Sequence, residues 1–281
     1  MDKIKVITDS TSDLSPDLAA AHGIEVIPLT ITVDGRNYRD GVDITPDQFY
    51  PLLASAGELP KTSQIAPGEF LERFEHWLQQ GYQVLAIHIS RGLSGTVDSA
   101  RLAAERMTPQ SVKVFDSKFL SFALAFQAIE AARLAAAGNS MQKVLDEVQR
   151  LRDRMELLFT LDTLHYLHKG GRIGGVSALL GSLLNIKPLI RVEDGVYVPF
   201  GKTRSRKQAL ERFIEFMQEK VGTNPVRVAI GHGRALEGAL QLKAMVEKSL
   251  RVVGEIPLYE VGPVIGVHTG PGTVGVAFYP V

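Results

Sequence analysis

The residues best suited to chemistry lie in short loops rich in glycine and hydroxyls. The stretch HTGPGTVG combines His268 with glycines at 270, 272 and 275. That spacing is G-x-G-x-x-G, a pattern in which glycine lets the backbone approach a dinucleotide pyrophosphate. The pattern needs a strand before it, a helix opening at its third glycine, and a βαβ unit of roughly 30 residues. Only six residues follow Gly275, and they read as a strand. The nucleotide reading is set aside on that context, and the glycines read instead as a tight turn, directed by Pro271, that holds His268 before the last strand. The segment GVYVPFGKT resembles a phosphate loop, but Gly195 and Gly201 are six apart where the motif requires five. It alternates like a strand and reads as a hairpin with a basic exit.

GLSGT, Gly92 to Thr96, begins like the nucleophile elbow of a serine hydrolase. The elbow needs a glycine two residues after the serine for its strained turn, and Thr96 stands there. What remains is a hydroxyl-rich loop, SRGLSGT, between a strand and a helix. Such a loop offers backbone N–H groups and the positive helix end to an anion. Plain capping by Ser94 or Thr96 accounts for it equally well. Two more loops have this character. TDSTSDL places Asp9, Ser10, Thr11 and Ser12 after the first strand, and PKTSQIAPGEF places Thr62 and Ser63 before a proline-started helix. Three such loops point to one polar site. Their spacing does not say which group it holds.

These loops must be positioned by regular elements. IKVIT is a short β-branched run, the mark of a buried strand. Ser12 or Ser15 can cap the helix that follows and stops at Gly23. IEVIPLTITV reads as one strand, DGRNYRDG as a small hairpin, and TPDQFYPLLAS as a helix. APGEFLERFEHWLQQG is a helix with Phe70, Phe74 and Trp77 on one face. QVLAIHIS and VKVFDS are strands, and a helix covers Ala123 to Ala136. This β-α rhythm predicts a mostly parallel sheet. Near residue 155 the pattern changes to ELLFT (strand), a helix ending at Gly170-Gly171, the short apolar helix VSALLGSLLNI, a hairpin turning at Asp194-Gly195, a long helix from Arg206, VRVAIGHG, another helix, and a final strand VGVAFYPV. The expected fold is two α/β domains. Residues 1–155 carry the mostly parallel sheet with flanking helices, and residues 156–281 a mixed sheet with helices.

The bulk numbers narrow the function. The chain has 281 residues, 45% hydrophobic and 22% charged, with zero formal net charge. Charge balance argues against a nucleic-acid partner, which usually requires a basic excess. The absence of cysteine excludes disulfides, thiol chemistry and thiolate zinc sites. None of the seven histidines has metal-ligand spacing. The apolar stretch Leu120 to Gly138 is interrupted by Gln127, Glu130 and Arg133, so it reads as a buried helix rather than a membrane span. The first residues lack the pattern of a signal peptide. A cytoplasmic protein without cofactor or metal is the expectation.

Read in order, VITDSTSDL, KTSQIAPGEF, SRGLSGT, DTLHYLHKGGRIGG, LLGSLLNIKPLI, GKTRSRKQAL and GVHTGPGTVGVAF resemble the successive signatures of the DegV family, along the whole chain. The resemblance implies a bacterial fatty-acid-binding protein of two α/β domains with the acyl chain in a buried tunnel. It implies a lipid-carrying subunit of fatty acid kinase, with a separate ATP-binding kinase subunit that phosphorylates the bound carboxylate. On that pattern Thr62, Ser94 and His268 hold the carboxylate. Arg172, Lys202, Arg204 and Arg206 support the head group or dock the kinase. Candidate tunnel residues are Leu120, Phe122, Leu124, Phe126, Leu179, Leu180, Leu183 and Leu184. Two rival readings stay in view: a stand-alone serine hydrolase using Ser94 and His268, and a lipid-sensing regulatory protein.

Overall fold

The computed structural model describes residues 3–108, 110–179 and 186–281. The chain opens with β1 (Lys3–Asp9), a 3-10 turn at Ser10–Ser12, α1 (Pro16–Ala21) and β2 (Glu25–Ile27). Ser15 caps α1, its Oγ accepting from Leu18 N–H at 3.2 Å, while Ser12 belongs to the preceding turn. Then come β3 (Thr30–Val33), β4 (Arg36–Arg39), α2 (Pro46–Ser55), β5 (Lys61–Ser63), α3 (Pro67–Gln79), β6 (Tyr82–His88), α4 (Thr96–Ala104), β7 (Val112–Asp116), α5 (Ser121–Ala136) and α6 (Met141–Arg154).

Strands β2-β1-β6-β7 form a fully parallel sheet. Strands β4-β3-β5 form a separate antiparallel one. The single strand expected over IEVIPLTITV is therefore broken. Pro28 supplies no N–H to a ladder, and the Leu29 N–H is taken by Ser10 Oγ at 3.0 Å. The chain leaves one sheet and enters the other at that point. KTS, expected as part of a loop, is instead the edge strand β5, with Thr62 opposite Ile31.

The second half holds β8 (Glu156–Thr160), α7 (His165–Lys169), a 3-10 segment at Gly174–Leu179, β9 (Lys187–Glu193), β10 (Val196–Thr203), α8 (Arg206–Val221), β11 (Val226–Gly233), α9 (Leu236–Ser249), β12 (Leu258–Glu260), α10 (Pro263–Thr269) and β13 (Thr273–Pro280). They build a mixed six-stranded sheet in the order β10-β9-β8-β13-β11-β12, in which β11 and β12 are parallel and the other pairs antiparallel.

Helix α5 joins the two halves. Phe122, Ala123, Leu124, Ala125, Ala128 and Ala131 are all buried. The helix is apolar all round in its first turns, which so belong inside a core, while Glu130 and Arg133 pair at the surface further along. It packs on β1 and β6 of the parallel sheet and on β11 and β13 of the mixed sheet. The loops after β1, β6 and β7 leave the carboxyl ends of parallel strands, the edge at which open α/β sheets hold ligands. Among the described residues no helix is long and apolar enough to cross a membrane.

Candidate functional site

A cavity of about 320 Å³ opens at that edge. Its lining includes Thr11, Thr62, Ser94, Arg172, Tyr197 and His268. Residues from six regions of the chain, each far from the next in sequence, therefore face one space.

Each side chain is set by its own element. Thr62 lies in the middle of β5, less exposed than Lys61 and Ser63 on either side. Its Oγ1 is 2.9 Å from His268 Nε2. Ser94 sits in the turn after β6, where the Leu93 and Ser94 N–H groups both donate to Ser90 O at 3.0 Å. The N-cap of α4 is Gly95, which makes no side-chain cap bond. Ser94 Oγ instead accepts from Thr96 N–H at 3.3 Å and lies 2.9 Å from Thr96 Oγ1. Both readings of this loop hold at once: its hydroxyls organise the turn, and Ser94 lines the cavity.

His268 occupies the last turn of α10. Sequence reasoning places it in a tight turn before the final strand. The helix is short and apolar, PVIGVHT, and is announced by Pro263 at its first position, the usual place for proline in a helix. The glycines behave as the sequence implies. Gly270 and Gly272 have φ of 70° and 89°, a left-handed conformation that glycine adopts without strain. Added side chains there would strike Tyr166 and Asp162. They end α10 and return the chain into β13, with no role as a nucleotide cradle.

The ring of His268 is partly enclosed. Burial, aided by the Arg172 guanidinium, pushes its pKa down to about 4. It is neutral near pH 7 and holds one ring proton. Nδ1 is buried without a hydrogen-bond partner, and a side chain at Gly170 would collide with it. Gly170 thus lets the end of α7 close against the imidazole. Arg172, just beyond, donates from Nη1 to Gly170 O at 3.0 Å and from Nε to Leu93 O at 3.4 Å. It bridges the α7 terminus and the Ser94 loop.

The structure brings Thr62, Ser94, Arg172 and His268 together, and leaves Lys202, Arg204 and Arg206 outside the cavity lining. Lys202 and Arg204 are exposed. Arg206 is engaged elsewhere, its Nη2 donating at 2.7 Å to both Asp162 Oδ1 and Gly272 O. A cation at a helix N-terminus is disfavoured, and here the Asp162 carboxylate offsets it. Gln64, inside the KTSQ motif, also faces the cavity, as do Tyr197 and Ile265, which carry no motif that sequence could flag.

A second, smaller recess of about 30 Å³ adjoins the first. It is lined by Leu120, Phe122, Leu157, Phe159, Val261 and others, and shares Tyr197 and Ile265 with the polar cavity. Of the expected tunnel residues, Leu120 and Phe122 line this recess. Leu124 is fully buried in the core, and Phe126 packs edge-on against Tyr279. Leu179 packs against the same core. Leu180, Leu183 and Leu184 lie outside the described residues.

The arrangement does not form a serine-hydrolase triad. The partner of Ser94 Oγ is Thr96, the partner of His268 Nε2 is Thr62, and no carboxylate orients Nδ1. Hydrolytic triads need the base bonded to the nucleophile and an acid behind the base.

Fold and site together define an α/β protein with a hydroxyl-lined polar cavity that shares two wall residues with an apolar recess. The chain matches the model of the family described as "Uncharacterised protein, DegV family" over residues 3–281. A DegV domain-containing protein of Deinococcus radiodurans is 39% identical over 280 residues, 99% of this chain and 98% of that one. Among solved structures, a DegV family protein from Thermus thermophilus described as binding fatty acid is 36% identical with a TM-score of 0.94, covering 99% of this chain and 100% of that one. DegV from Bacillus subtilis, described as a fatty acid binding protein, is 33% identical with a TM-score of 0.90 and covers 100% of both chains. The chain belongs to the DegV family.

Proposed function

We propose that this protein binds a long-chain fatty acid and presents its carboxylate to a separate ATP-dependent kinase subunit, which forms the acyl phosphate. The observation that carries the reading is the convergence of Thr62, Ser94, His268 and Arg172 on one cavity that shares Tyr197 and Ile265 with an apolar recess. A carboxylate removed from water needs hydrogen-bond donors. Thr62 and Ser94 can donate hydroxyl protons, and Arg172 adds charge. A His268 tautomer with the proton on Nε2 donates to Thr62 Oγ1 and leaves the Thr62 hydroxyl proton for the ligand. The fatty acid binding described for the Thermus thermophilus and Bacillus subtilis relatives supports the same ligand class.

The acyl tail would run past Tyr197 and Ile265 into the apolar recess. Each methylene buried there contributes roughly 0.8 kcal/mol. The recess is smaller than a long tail, so Phe122 and its neighbours must turn aside as the tail enters. In the coupled reaction, a carboxylate oxygen attacks the terminal phosphorus of ATP. A carboxylate-to-phosphorus bond forms, the bond to ADP breaks, and the partner supplies nucleotide and metal. Exposed Lys202 and Arg204 would face that partner, with Arg206 fixing the turn behind them.

Native mass spectrometry of protein purified from a bacterial host tests the ligand. The expected result is a bound mass equal to a fatty acid, released on denaturation. Protein that arrives empty and also takes up no added fatty acid would overturn the proposal.

A further inference from the structure

A group of acidic side chains gathers around the start of α10, the helix that ends in His268. Gly262, the N-cap of that helix, has no side chain to close it. Asp13 does so from another part of the chain, Oδ1 accepting the Gly262 N–H at 2.9 Å. Its other oxygen, Oδ2, accepts from Ser121 Oγ at the first residue of α5. A side chain at Gly262 would meet Asp13 Oδ1 at 2.8 Å, so this close approach needs glycine. Asp40, 4% exposed, lies alongside, facing the Ser10 hydroxyl and the Val264 N–H, and its Oδ2 has no partner.

Both Asp13 and Ser121 have left-handed backbone, φ 55° and 53°. Such conformations are unfavourable for residues with a side chain and persist where the surroundings over-determine them. Two strained residues bonded to each other, beside a second acid, exceed what capping a seven-residue helix requires. A local serine or aspartate would suffice. What the tie joins explains the excess. Leu120, Ser121 and Phe122 at the start of α5 line the apolar recess, and α10 supplies Ile265 to both recesses and His268 to the polar one.

We infer that Asp13, backed by Asp40, is a positioning residue that locks the starts of α5 and α10 together, so that the wall of the apolar recess and His268 hold one fixed relation and the seating of a tail is felt at the carboxylate end. This rests on the fatty acid reading above.

The tie has a pH dependence. Burial, opposed by the bonds to Ser10 and Val264 and reinforced by Asp9, raises the Asp40 pKa to about 7. Burial also lifts Asp13 well above the usual carboxylate range, with Asp40 and Asp9 adding to it. The groups facing the pair are Asp9, itself bonded to His88, together with Tyr50, Tyr197 and Tyr259; Glu260 and Arg234 lie beyond Tyr50. None of those facing the pair directly is a cation at neutral pH that would favour two ionised carboxylates. A folded-state pKa raised above the unfolded one contributes stability present at low pH and lost as pH rises through the folded value. For Asp40 that loss runs from about 4 to about 7, and α10 is held less firmly above it.

The test is calorimetric binding of palmitic and octanoic acids to the wild type and to Asp13→Ala, Asp13→Asn and Asp40→Asn, between about pH 6 and about pH 9. Palmitic acid affinity of the wild type falls as pH passes the Asp40 value, and Asp40→Asn removes most of that fall. Asp13→Ala weakens palmitic acid about tenfold, within the usual range of coupling between sites. It weakens octanoic acid less, because a short tail does not reach the α5 wall. Asp13→Asn, which still accepts from Gly262, recovers most of the loss. Equal effects on both acids with an unchanged pH profile would reduce Asp13 to a purely structural part and overturn the inference while leaving fatty acid binding intact. A wild type that binds neither acid overturns both. If Asp13→Ala does not fold, the wild-type pH profile and Asp40→Asn still decide.

Discussion

The polar cavity and the apolar recess share Tyr197 and Ile265 but are built in opposite ways. The first is about 320 Å³ and walled by loops together with parts of β5, β10 and α10. Those loops are pinned by hydrogen bonds to the backbone: the Leu93 and Ser94 amides donate to Ser90 O, and the Arg172 guanidinium donates to two carbonyls. The second is about 30 Å³ and walled by core side chains. Hydrogen-bonded loops hold a space open because their polar groups are already satisfied by one another. Apolar side chains close on any space they are given, since interiors settle at the density of organic crystals. On the proposed reading the head-group end would be preformed and the tail end opened by the ligand.

The largest expected effect comes from blocking the tail end. Phe122 lies over Gly231 and Gly275, which face each other across β11 and β13. A methyl group at Gly231 would collide with the Phe122 ring. Gly231→Ala should drive that ring into the recess and weaken palmitic acid binding about 10- to 100-fold, as overpacking of about 1–3 kcal/mol would. Octanoic acid should be affected far less. Equal losses for both acids, in protein with an unchanged circular dichroism spectrum, would break the division into head and tail regions.

A middle-sized effect belongs to His268. Its replacement by Ala should cost about tenfold in affinity for the acid, the scale of one net hydrogen bond, and little for the corresponding methyl ester. Loss of both alike would show that the ring acts as packing. Its lowered pKa also has a signed consequence. Because the folded-state value lies below the ordinary one, His268 contributes stability above about pH 6.5 that is lost as pH falls toward about 4. Thermal melts of His268→Gln should be less sensitive across that window than the wild type.

The smallest effect should come from Arg172→Ala. This exposed side chain acts through a screened charge, so a loss of about threefold in acid affinity, shrinking with added salt, is expected in a titration series. A salt-independent loss would mean that Arg172 works chiefly by pinning the Ser94 loop to Gly170.

Much of this site is legible in the chain itself. The hydroxyl loops after the first and third parallel-type strands, and the histidine before a glycine turn, stand out by residue type. Tyr197 and Ile265 do not. One sits in a strand that reads as an ordinary hairpin, the other in the seven-residue helix α10, too short for apolar periodicity to reveal. The strand β5 escapes for a similar reason. Three residues, KTS, have no alternation to read, and their strand character comes from pairing with β3. Arg206 looks like a free cation in a basic run, and only its neighbours Asp162 and Gly272 show that it is committed.

Sequence alone determined the α/β class, the order of most elements, the polar loops and their hydroxyls, and the family motifs, because these depend on local periodicity, turn chemistry and residue type. Tertiary structure decided which of those loops meet, that His268 is neutral and bonded to Thr62, that an apolar recess adjoins the polar cavity, and that Asp13 closes a helix 249 residues away. Those outcomes depend on burial and on contacts between distant segments, which no local pattern carries.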